Sequence, residues 1–334
     1  MAWKTSSCKP RITRKESGFF PCHLWLLIYV SVPVMFPFRN ILFPTDFSAN
    51  AHAALKYAAA FARHSGGRVV LFNVQDAKSV VHSQLDELLS DPVLKGVDAE
   101  KILVEGEPAS EIAQGAIDHD VDLITVVMRG RNRLSRAFGS SIAEDIVAEA
   151  PCAVLCVRPP QRDFVDQHDG QTQIQLKRVL LATNFRPSSA AATQLATQIA
   201  NHMGAELHAV YVIGDYFEQI SAIFPEGGLA ALTRLRSYVQ ERLVQLARPS
   251  SGVATTHIAE GRPYQEIVKL ADTVQADLIV IGTAVHGSLF GSSQVLGSEI
   301  ERVIRNAPCP VLCVPAARVL TPLPALVTQV VPQT

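Results

Sequence analysis

The sequence predicts an α/β fold of two tandem Rossmann-like, doubly wound domains, each with a five-stranded parallel sheet flanked by helices. The first observation is an internal repeat, since five blocks of the first half recur in the same order in the second. The second is that these blocks are short and rich in Val, Ile and Leu, as strands buried on both faces are. The third is the helical pattern between blocks, because strand–helix alternation implies right-handed crossovers.

The recurring blocks give the strands in chain order. Their positions in the two repeats are RNILFPTDFS (39–48) and KRVLLATNFR (177–186), VVLFNV (69–74) and LHAVYV (207–212), VEGEPASEI (104–112) and AEGRPYQEI (259–267), VDLITVV (121–127) and ADLIVIG (276–282), and EAPCAVLCV (149–157) and NAPCPVLCV (306–314).

Helices are predicted between the strands. The Ala-rich segment 48–67 has Ser48 as its N-cap candidate and stops at a glycine pair, and the segment after Pro187 follows the same plan. Pro108 and Pro263 stand near the starts of two further helices. The second repeat has a longer middle section, in which residues 221–247 predict a longer second helix.

These elements divide the chain into five parts. The expected bounds are an N-terminal extension (1–37), a first domain (38–158), a polar linker with two prolines (159–176), a second domain (177–316) and a C-terminal tail (317–334). The extension is expected to be disordered or to come from a mis-chosen start codon, because Met35 is a natural start just before the first strand. A signal peptide or membrane anchor is the alternative for the uncharged run 19–38, although three prolines interrupt it.

Composition narrows the function classes. A formal net charge of −1 gives no electrostatic reason to expect nucleic acid. Six cysteines in 334 residues are too few for a disulfide scaffold. Four of them form two C-x3-C pairs within predicted strands, which favours small buried side chains over metal ligands. A reducing, cytoplasmic setting and no membrane partner are therefore expected.

A glycine-containing loop follows the fourth strand of the second repeat. Gly282, Gly287 and the pair Gly297-Ser298 lie where ligands bind in open α/β sheets, beyond the carboxyl ends of the strands. Glycines let a phosphate approach the backbone, and a helix N-terminus offers free N–H groups. A plain strand-to-helix turn is the alternative for such spacing. His286 in the same loop is more simply read as a solvated side chain.

The blocks ILFPTDFS, VEGEP, AEGRP, the glycine loop and APCPVLCV resemble those of tandem universal stress proteins, over nearly all of residues 38–315. The resemblance implies that nucleotide-binding members carry G-x2-G-x9-G-[ST] after the fourth strand. It also implies an Asp after the first strand that contacts adenosine, and a backbone valine after the second strand that contacts the base. These positions fall on Asp46 and Val74 in repeat one and on Asn184 and Val212 in repeat two.

Both loops depart from that pattern. In repeat two, four residues instead of two separate Gly282 from Gly287, and no Lys or Arg lies between Gly282 and Ser298. In repeat one, Val127 replaces the first glycine and Ser140-Ser141 stands in place of Gly-Ser. Repeat one has four arginines in residues 129–136, which suit phosphate oxygens or form a solvated basic turn.

The resemblance thus implies a site for ATP, with or without Mg²⁺, in one or both domains. The candidate residues of domain 1 are Pro44, Thr45, Asp46, Val74, Gly130, Arg131, Gly139, Ser140 and Ser141, and those of domain 2 are Ala182, Thr183, Asn184, Val212, Gly282, Thr283, Gly287, Gly297 and Ser298. Asp46 also suits an N-cap or Asx turn before the first helix, a role for which Ser48 competes. Asn184 hydrogen-bonds but supplies no carboxylate.

No enzyme is predicted, beyond at most slow ATP hydrolysis. The sequence offers no nucleophile–base–orienter set, and Ser288 and Leu289 follow Gly287 where a P-loop needs Lys and Ser/Thr. Two function classes stay open: a nucleotide-responsive stress protein that regulates an unknown protein partner, and a nucleotide-free dimerisation and interaction module. A membrane-attached regulator is a third class, which depends on residues 1–38. The resemblance further implies pairing through the last strands, as an intramolecular pseudo-dimer or a homodimer.

Overall fold

The computed structural model describes residues 36–48, 51–75, 82–128, 142–168, 171–214, 225–247, 252, 254–283, 286–287 and 294–316. All of them lie in one compact unit. The first repeat contains β1 (Asn40–Pro44), α1 (His52–Ser65), β2 (Arg68–Gln75), α2 (His82–Leu89), β3 (Asp98–Glu105), α3 (Pro108–Asp118), β4 (Leu123–Val127), α4 (Ile142–Glu149) and β5 (Ala153–Val157). Between the repeats lie β6 (Val165–His168) and β7 (Gln171–Ile174). The second repeat contains β8 (Arg178–Ala182), α5 (Ala190–Met203), β9 (Glu206–Ile213), α6 (Pro225–Ala247), β10 (Ala254–Glu260), α7 (Pro263–Thr273), β11 (Leu278–Thr283), β12 (His286–Gly287), β13 (Gln294–Val295), α8 (Ser298–Asn306) and β14 (Val311–Pro315).

Apart from the separate antiparallel pair β12–β13, the described strands of the two repeats form one continuous sheet in the order β10-β9-β8-β11-β14-β5-β4-β1-β2-β3. Within each repeat all neighbouring strands of this sheet are parallel, which confirms the predicted doubly wound architecture. The chain direction reverses only between β14 and β5, which pair antiparallel with Leu312 opposite Leu155. The last strands therefore pair within one chain. The topological switch point lies between β1 and β4 in repeat one and between β8 and β11 in repeat two.

Two layers of apolar side chains cover the two faces of the sheet, and both layers run through the two repeats. The four cysteines of the C-x3-C pairs are buried and carry no disulfide. The neighbouring Cys313 thiol and burial raise the pKa of Cys156, and burial raises the pKa of Cys309 to about 12. The cysteines therefore pack as small side chains in the core.

The helix ends follow the sequence prediction except at one point. α1 and α5 end at Gly66 and Gly204, which adopt left-handed φ values of 62° and 65° and donate to the carbonyls of the preceding turn. Pro108 and Pro263 occupy the first helical positions of α3 and α7, as predicted. The N-cap prediction for Ser48 is wrong, because α1 begins at His52 with Ala51 before it.

The polar segment between the two repeats contains two short strands. Its strands β6 and β7 form an antiparallel hairpin that packs against α1. Phe164 and Leu176 are buried beneath it, and the Tyr57 hydroxyl of α1 donates to Asp163 at 2.7 Å. Burial raises the pKa of Tyr57, so this hydroxyl keeps its proton. Val165 of β6 is buried as well, so three apolar side chains anchor an otherwise polar segment to the core.

The first described residue of the chain lies against helices of both repeats. Phe36, placed in the extension by sequence, is 8% exposed and packs edge-on against Phe38 and Phe61. Its ring lies against His64 of α1 and His202 of α5, and its backbone N–H donates to Gln198 at 3.1 Å. Phe36 therefore fills the gap where the corresponding helices of the two repeats approach each other. Among the described helices, none has the length and apolar character that crossing a membrane requires.

Candidate functional site

The candidate site lies at the carboxyl edge of the sheet, where the chain leaves β1 and β8. Thr45 and Thr183 are each 7% exposed and continue the parallel pairing by donating their N–H groups to Phe72 and Val210. Their hydroxyls then accept from the N–H groups of Phe47 and Phe185 at 3.0 and 3.2 Å. The preceding predicted residues Pro44 and Ala182 end the strands themselves. The two repeats therefore fold this turn in the same way.

The residue after each threonine is presented to solvent in a fixed orientation. Asp46 Oδ1 accepts from the N–H of Ser48 at 3.0 Å, and Asn184 Oδ1 accepts from the N–H of Arg186 at 3.0 Å. Both are Asx turns. The turns are completed by Phe47 and Phe185, which both adopt a left-handed φ of 57°. Asp46 thus takes the Asx-turn role expected as its structural alternative, and the residue is exposed at the carboxyl edge of the sheet.

The valines expected near the base lie on the adjacent strand in each repeat. Val74 and Val212 are half-buried near the carboxyl ends of β2 and β9. The residue before each valine differs, and sequence reasoning missed its role. The buried Asn73 donates from Nδ2 to the carbonyl of Thr45 at 2.7 Å, which ties β2 to the turn of repeat one.

Repeat two holds the corresponding turn with aromatic packing instead. Tyr211 stands in the place of Asn73 and stacks on Phe185 with ring centroids 5.0 Å apart. The guanidinium of Arg242 on α6 lies 5.5 Å from the centroid of the Phe185 ring. A cation therefore reaches this edge from α6, although the loop of repeat two has none. The sequence predicted this long helix, but it gave no indication that Arg242 would lie over the Phe185 ring.

The first glycine of the loop in repeat two is packed against the protein's own backbone. A Cβ atom on Gly282 would stand 2.3 Å from the carbonyl oxygen of Ser188 and 2.8 Å from Cα of Ser189. These residues form the 3₁₀ turn Pro187–Ser189 between β8 and α5. The next candidate, Thr283, is 1% exposed, and its carbonyl accepts from the N–H of Ala316. Gly282 is therefore required by a close approach of two backbone segments.

The last glycine lies in a different environment. Gly297 precedes α8 as its N-cap, with φ −60° and ψ 133°, and a Cβ there would meet only Ile300 at 3.8 Å. Ser298 is exposed at the first helical position. Glu299 follows, accepts from the N–H of Tyr264 at 3.1 Å and pairs with Arg302. The helix start therefore offers backbone N–H groups to an anion, but next to a carboxylate that is already held.

The structure describes only one of the remaining candidate residues, Gly287. Gly287 lies in β12, which pairs antiparallel with β13 through Gln294. The candidates Gly130, Arg131, Gly139, Ser140 and Ser141, like the arginine cluster 129–136, lie outside the described residues. Among the described residues no group of three or more His, Cys, Asp or Glu side chains is arranged to hold a metal ion.

Comparisons with known proteins agree with this architecture. A family model described as "Universal stress protein family" matches residues 37–158 and 175–315. The chain is 34% identical over 148 residues to universal stress protein MJ0531 of Methanocaldococcus jannaschii, a match that covers 41% of this chain and 81% of that protein. Among solved structures, a universal stress protein from Archaeoglobus fulgidus has a TM-score of 0.59 at 21% identity, covering 83% of this chain and 98% of that one. A putative universal stress protein from Pseudomonas aeruginosa has a TM-score of 0.56 at 19% identity, covering 85% and 95%. At these identities the two structures support the fold alone.

Proposed function

The chain belongs to the universal stress protein family, and on that premise we propose that it binds an adenine nucleotide of the ATP type at the carboxyl edge of the sheet. In this proposal the bound nucleotide, with or without Mg²⁺, changes the affinity of the protein for a protein partner. The role is regulatory, with at most slow ATP hydrolysis. The buried thiols without disulfides suit a reducing compartment such as the cytoplasm.

One observation carries the proposal: the Asx turn after β1 holds the exposed Asp46 at the switch point, and Val74 lies near the carboxyl end of the adjacent strand β2. A carboxylate accepts hydrogen bonds from ribose hydroxyls or an exocyclic amine. The turn geometry fixes the carboxylate before a ligand arrives, so little conformational entropy is lost on binding. Repeat two repeats the turn with Asn184 and adds the accessible Gly297-Ser298 start of α8.

A second candidate function is a nucleotide-free interaction module. It is favoured by the packing of Gly282, because the contact with Ser188 explains this glycine without any ligand. In that case the two repeats serve to build one rigid ten-strand sheet among the described residues, and its exposed surfaces bind the partner.

The two functions are separated by calorimetric titration of the full chain with Mg-ATP, using AMP and GTP as comparators. We expect Asp46→Ala to weaken ATP binding by roughly 10- to 150-fold, since hydrogen bonds to a charged group contribute about 1.5–3 kcal/mol. Asn184→Asp keeps an Oδ acceptor for the Asx turn and supplies a carboxylate, so it should strengthen binding at repeat two.

Asp98→Ala is the matched control, because Asp98 is an exposed aspartate at the start of β3, on the opposite edge of the sheet. Thermal unfolding of the same samples gives a second readout. ATP at about 100 times its dissociation constant should add roughly 2.7 kcal/mol to the free energy of unfolding. Absence of heat and of a thermal shift at millimolar ATP would refute nucleotide binding and favour the interaction module.

A further inference from the structure

The last helices of the two repeats meet through one arginine. Arg305 of α8 pairs with Glu144 of α4 at 2.5 Å and with Glu301 of its own helix at 2.9 Å. The Glu144 side chain is 8% exposed, whereas Glu301 is 38% exposed. Glu144 is therefore a nearly buried carboxylate of repeat one that has a cation from repeat two beside it. Removal of a cation from such a pair leaves a carboxylate that is less well stabilised, because the site is poorly solvated.

This link is not symmetric between the repeats. Counted back from the shared APC block, Glu144 corresponds to Glu301, but Arg305 corresponds to Ala148. Glu301 pairs with Arg305 of its own helix, four residues later in the sequence. Glu144 pairs with the same arginine from the other repeat. The first turn of α4 is thus linked to α8 by an ion pair, and α8 has no matching arginine from α4.

The same two helices begin at the candidate loops. α8 starts at Ser298, directly after Gly297, and α4 starts at Ile142, directly after the position that corresponds to Ser298. β13, which precedes this start, packs against α4. Leu296 between β13 and Gly297 is 8% exposed and belongs to the same apolar layer as Ile146 and Val147 of α4.

We propose that Arg305 is a positioning residue that couples the candidate nucleotide site of repeat two to the α4 helix of repeat one. This inference rests on the proposed function. A ligand on the N–H groups at Gly297 and Ser298 shifts or orders α8, and Arg305 and Leu296 transmit that change to Glu144 and α4. By linkage, occupancy of either repeat then alters the affinity of the other.

The test places the ligand in one repeat and reads the other. Full-length Asp46→Ala weakens the site of repeat one, so Mg-ATP at a concentration that saturates only the tighter site occupies repeat two, and calorimetry on the same sample confirms that it binds. Hydrogen exchange of the amides in α4 is then followed with and without saturating Mg-ATP. We expect ligand to slow exchange in α4 by about 5-fold or more, the lower end of usual coupling factors. We expect that ligand effect to vanish when Arg305→Gln is added.

Two further variants isolate the charge link from simple loss of folding. Arg305→Lys keeps a cation and should retain part of the ligand effect. Glu144→Gln removes the buried charge, so α4 should exchange independently of ligand even where Arg305→Gln folds poorly. Lys269→Gln is the control, because Lys269 is an exposed partner of Glu266 on α7. It should behave as wild type. A merely structural role of Arg305 would raise exchange in α4 equally with and without ligand.

The outcomes separate the two proposals. If ATP binds to Asp46→Ala but α4 exchange does not respond, or responds equally without Arg305, the coupling is wrong and nucleotide binding stands. If calorimetry detects binding to the wild type but none to Asp46→Ala, repeat two has no site and the coupling is overturned. If no variant, wild type included, binds ATP, both proposals fail.

Discussion

The first and last glycines of the loop in repeat two should respond differently to the addition of one methyl group. Gly282→Ala places a Cβ 2.3 Å from the carbonyl oxygen of Ser188, about 1 Å inside normal contact distance. Gly297→Ala places a Cβ 3.8 Å from its nearest neighbour, Ile300, at a φ of −60° that any residue adopts. The pair therefore compares a close-packed glycine with an accessible one in the same loop.

The magnitude follows from what must move. The obstructing atoms at Gly282 belong to the backbone of the 3₁₀ turn, so no side-chain rotation relieves the overlap. Overpacking of this kind costs about 1–3 kcal/mol. Moving the turn also strains the Ser189 hydroxyl, which lies 3.2 Å from Thr183 Oγ1 and 2.9 Å from the Arg186 carbonyl; one lost hydrogen bond adds about 1 kcal/mol. We expect about 2–4 kcal/mol for Gly282→Ala, and at most about 1 kcal/mol for Gly297→Ala from its N-cap preference.

Equilibrium urea unfolding of the full chain measures both changes, and titration with Mg-ATP measures binding to each folded variant. Gly282→Ala should lose stability, while Gly297→Ala should keep its stability and lose affinity for ATP. A Gly282→Ala protein as stable as the wild type would refute the close approach to Ser188. That result would favour a phosphate-binding role for this glycine. Equal losses of stability in the two variants would refute the distinction between them.

Three further outcomes are expected. Gly66→Ala should lower the free energy of unfolding by about 1–2 kcal/mol, measured in urea, since φ is 62° and a Cβ would meet no neighbour, so only backbone strain acts. Phe36→Ala should cost about 3 kcal/mol in the same assay, because the ring fills the junction of the two repeats, and an unchanged stability would place residue 36 outside the core. Burial lowers the pKa of His208 and of His257, whose facing ring nitrogens lie 3.1 Å apart, so both prefer to be neutral in the folded state. The unfolded chain then binds more protons below pH 6.5, and stability should be complete above that value and fall as pH falls further; His257→Gln should flatten this dependence between pH 7.5 and 5.

The regular part of the fold was predictable because its signals are local and repeated. Blocks such as VVLFNV are too apolar and too short for anything but buried strands, and their recurrence sets the same strand order twice. The helix ends at Gly66 and Gly204 were predictable for the same reason, since a left-handed C-cap is a property of the residue itself. Local chemistry and tertiary structure agree at these positions.

The errors arise where a residue's role is set by contacts that its own type does not reveal. Ser48 is of a residue type that favours N-caps, but its N–H donates to Asp46 and α1 begins only at His52. Phe164 and Leu176 were assigned to a polar linker because its few apolar residues show no periodicity. The glycine spacing likewise gave no indication that Gly282 faces Ser188, which lies almost a hundred residues earlier in the sequence.

Repeat two offers an internal comparison for the role of the Asp46 side chain. Asn184 forms the same Asx turn with the same 3.0 Å hydrogen bond, followed by a phenylalanine with the same φ of 57°. The turn therefore requires a side-chain oxygen at this position but not a negative charge. Under the proposed function the charge of Asp46 accepts hydrogen bonds from donors on the ligand, and Asn184 lacks that charge. Asp46→Ala and Asn184→Asp are therefore the informative pair.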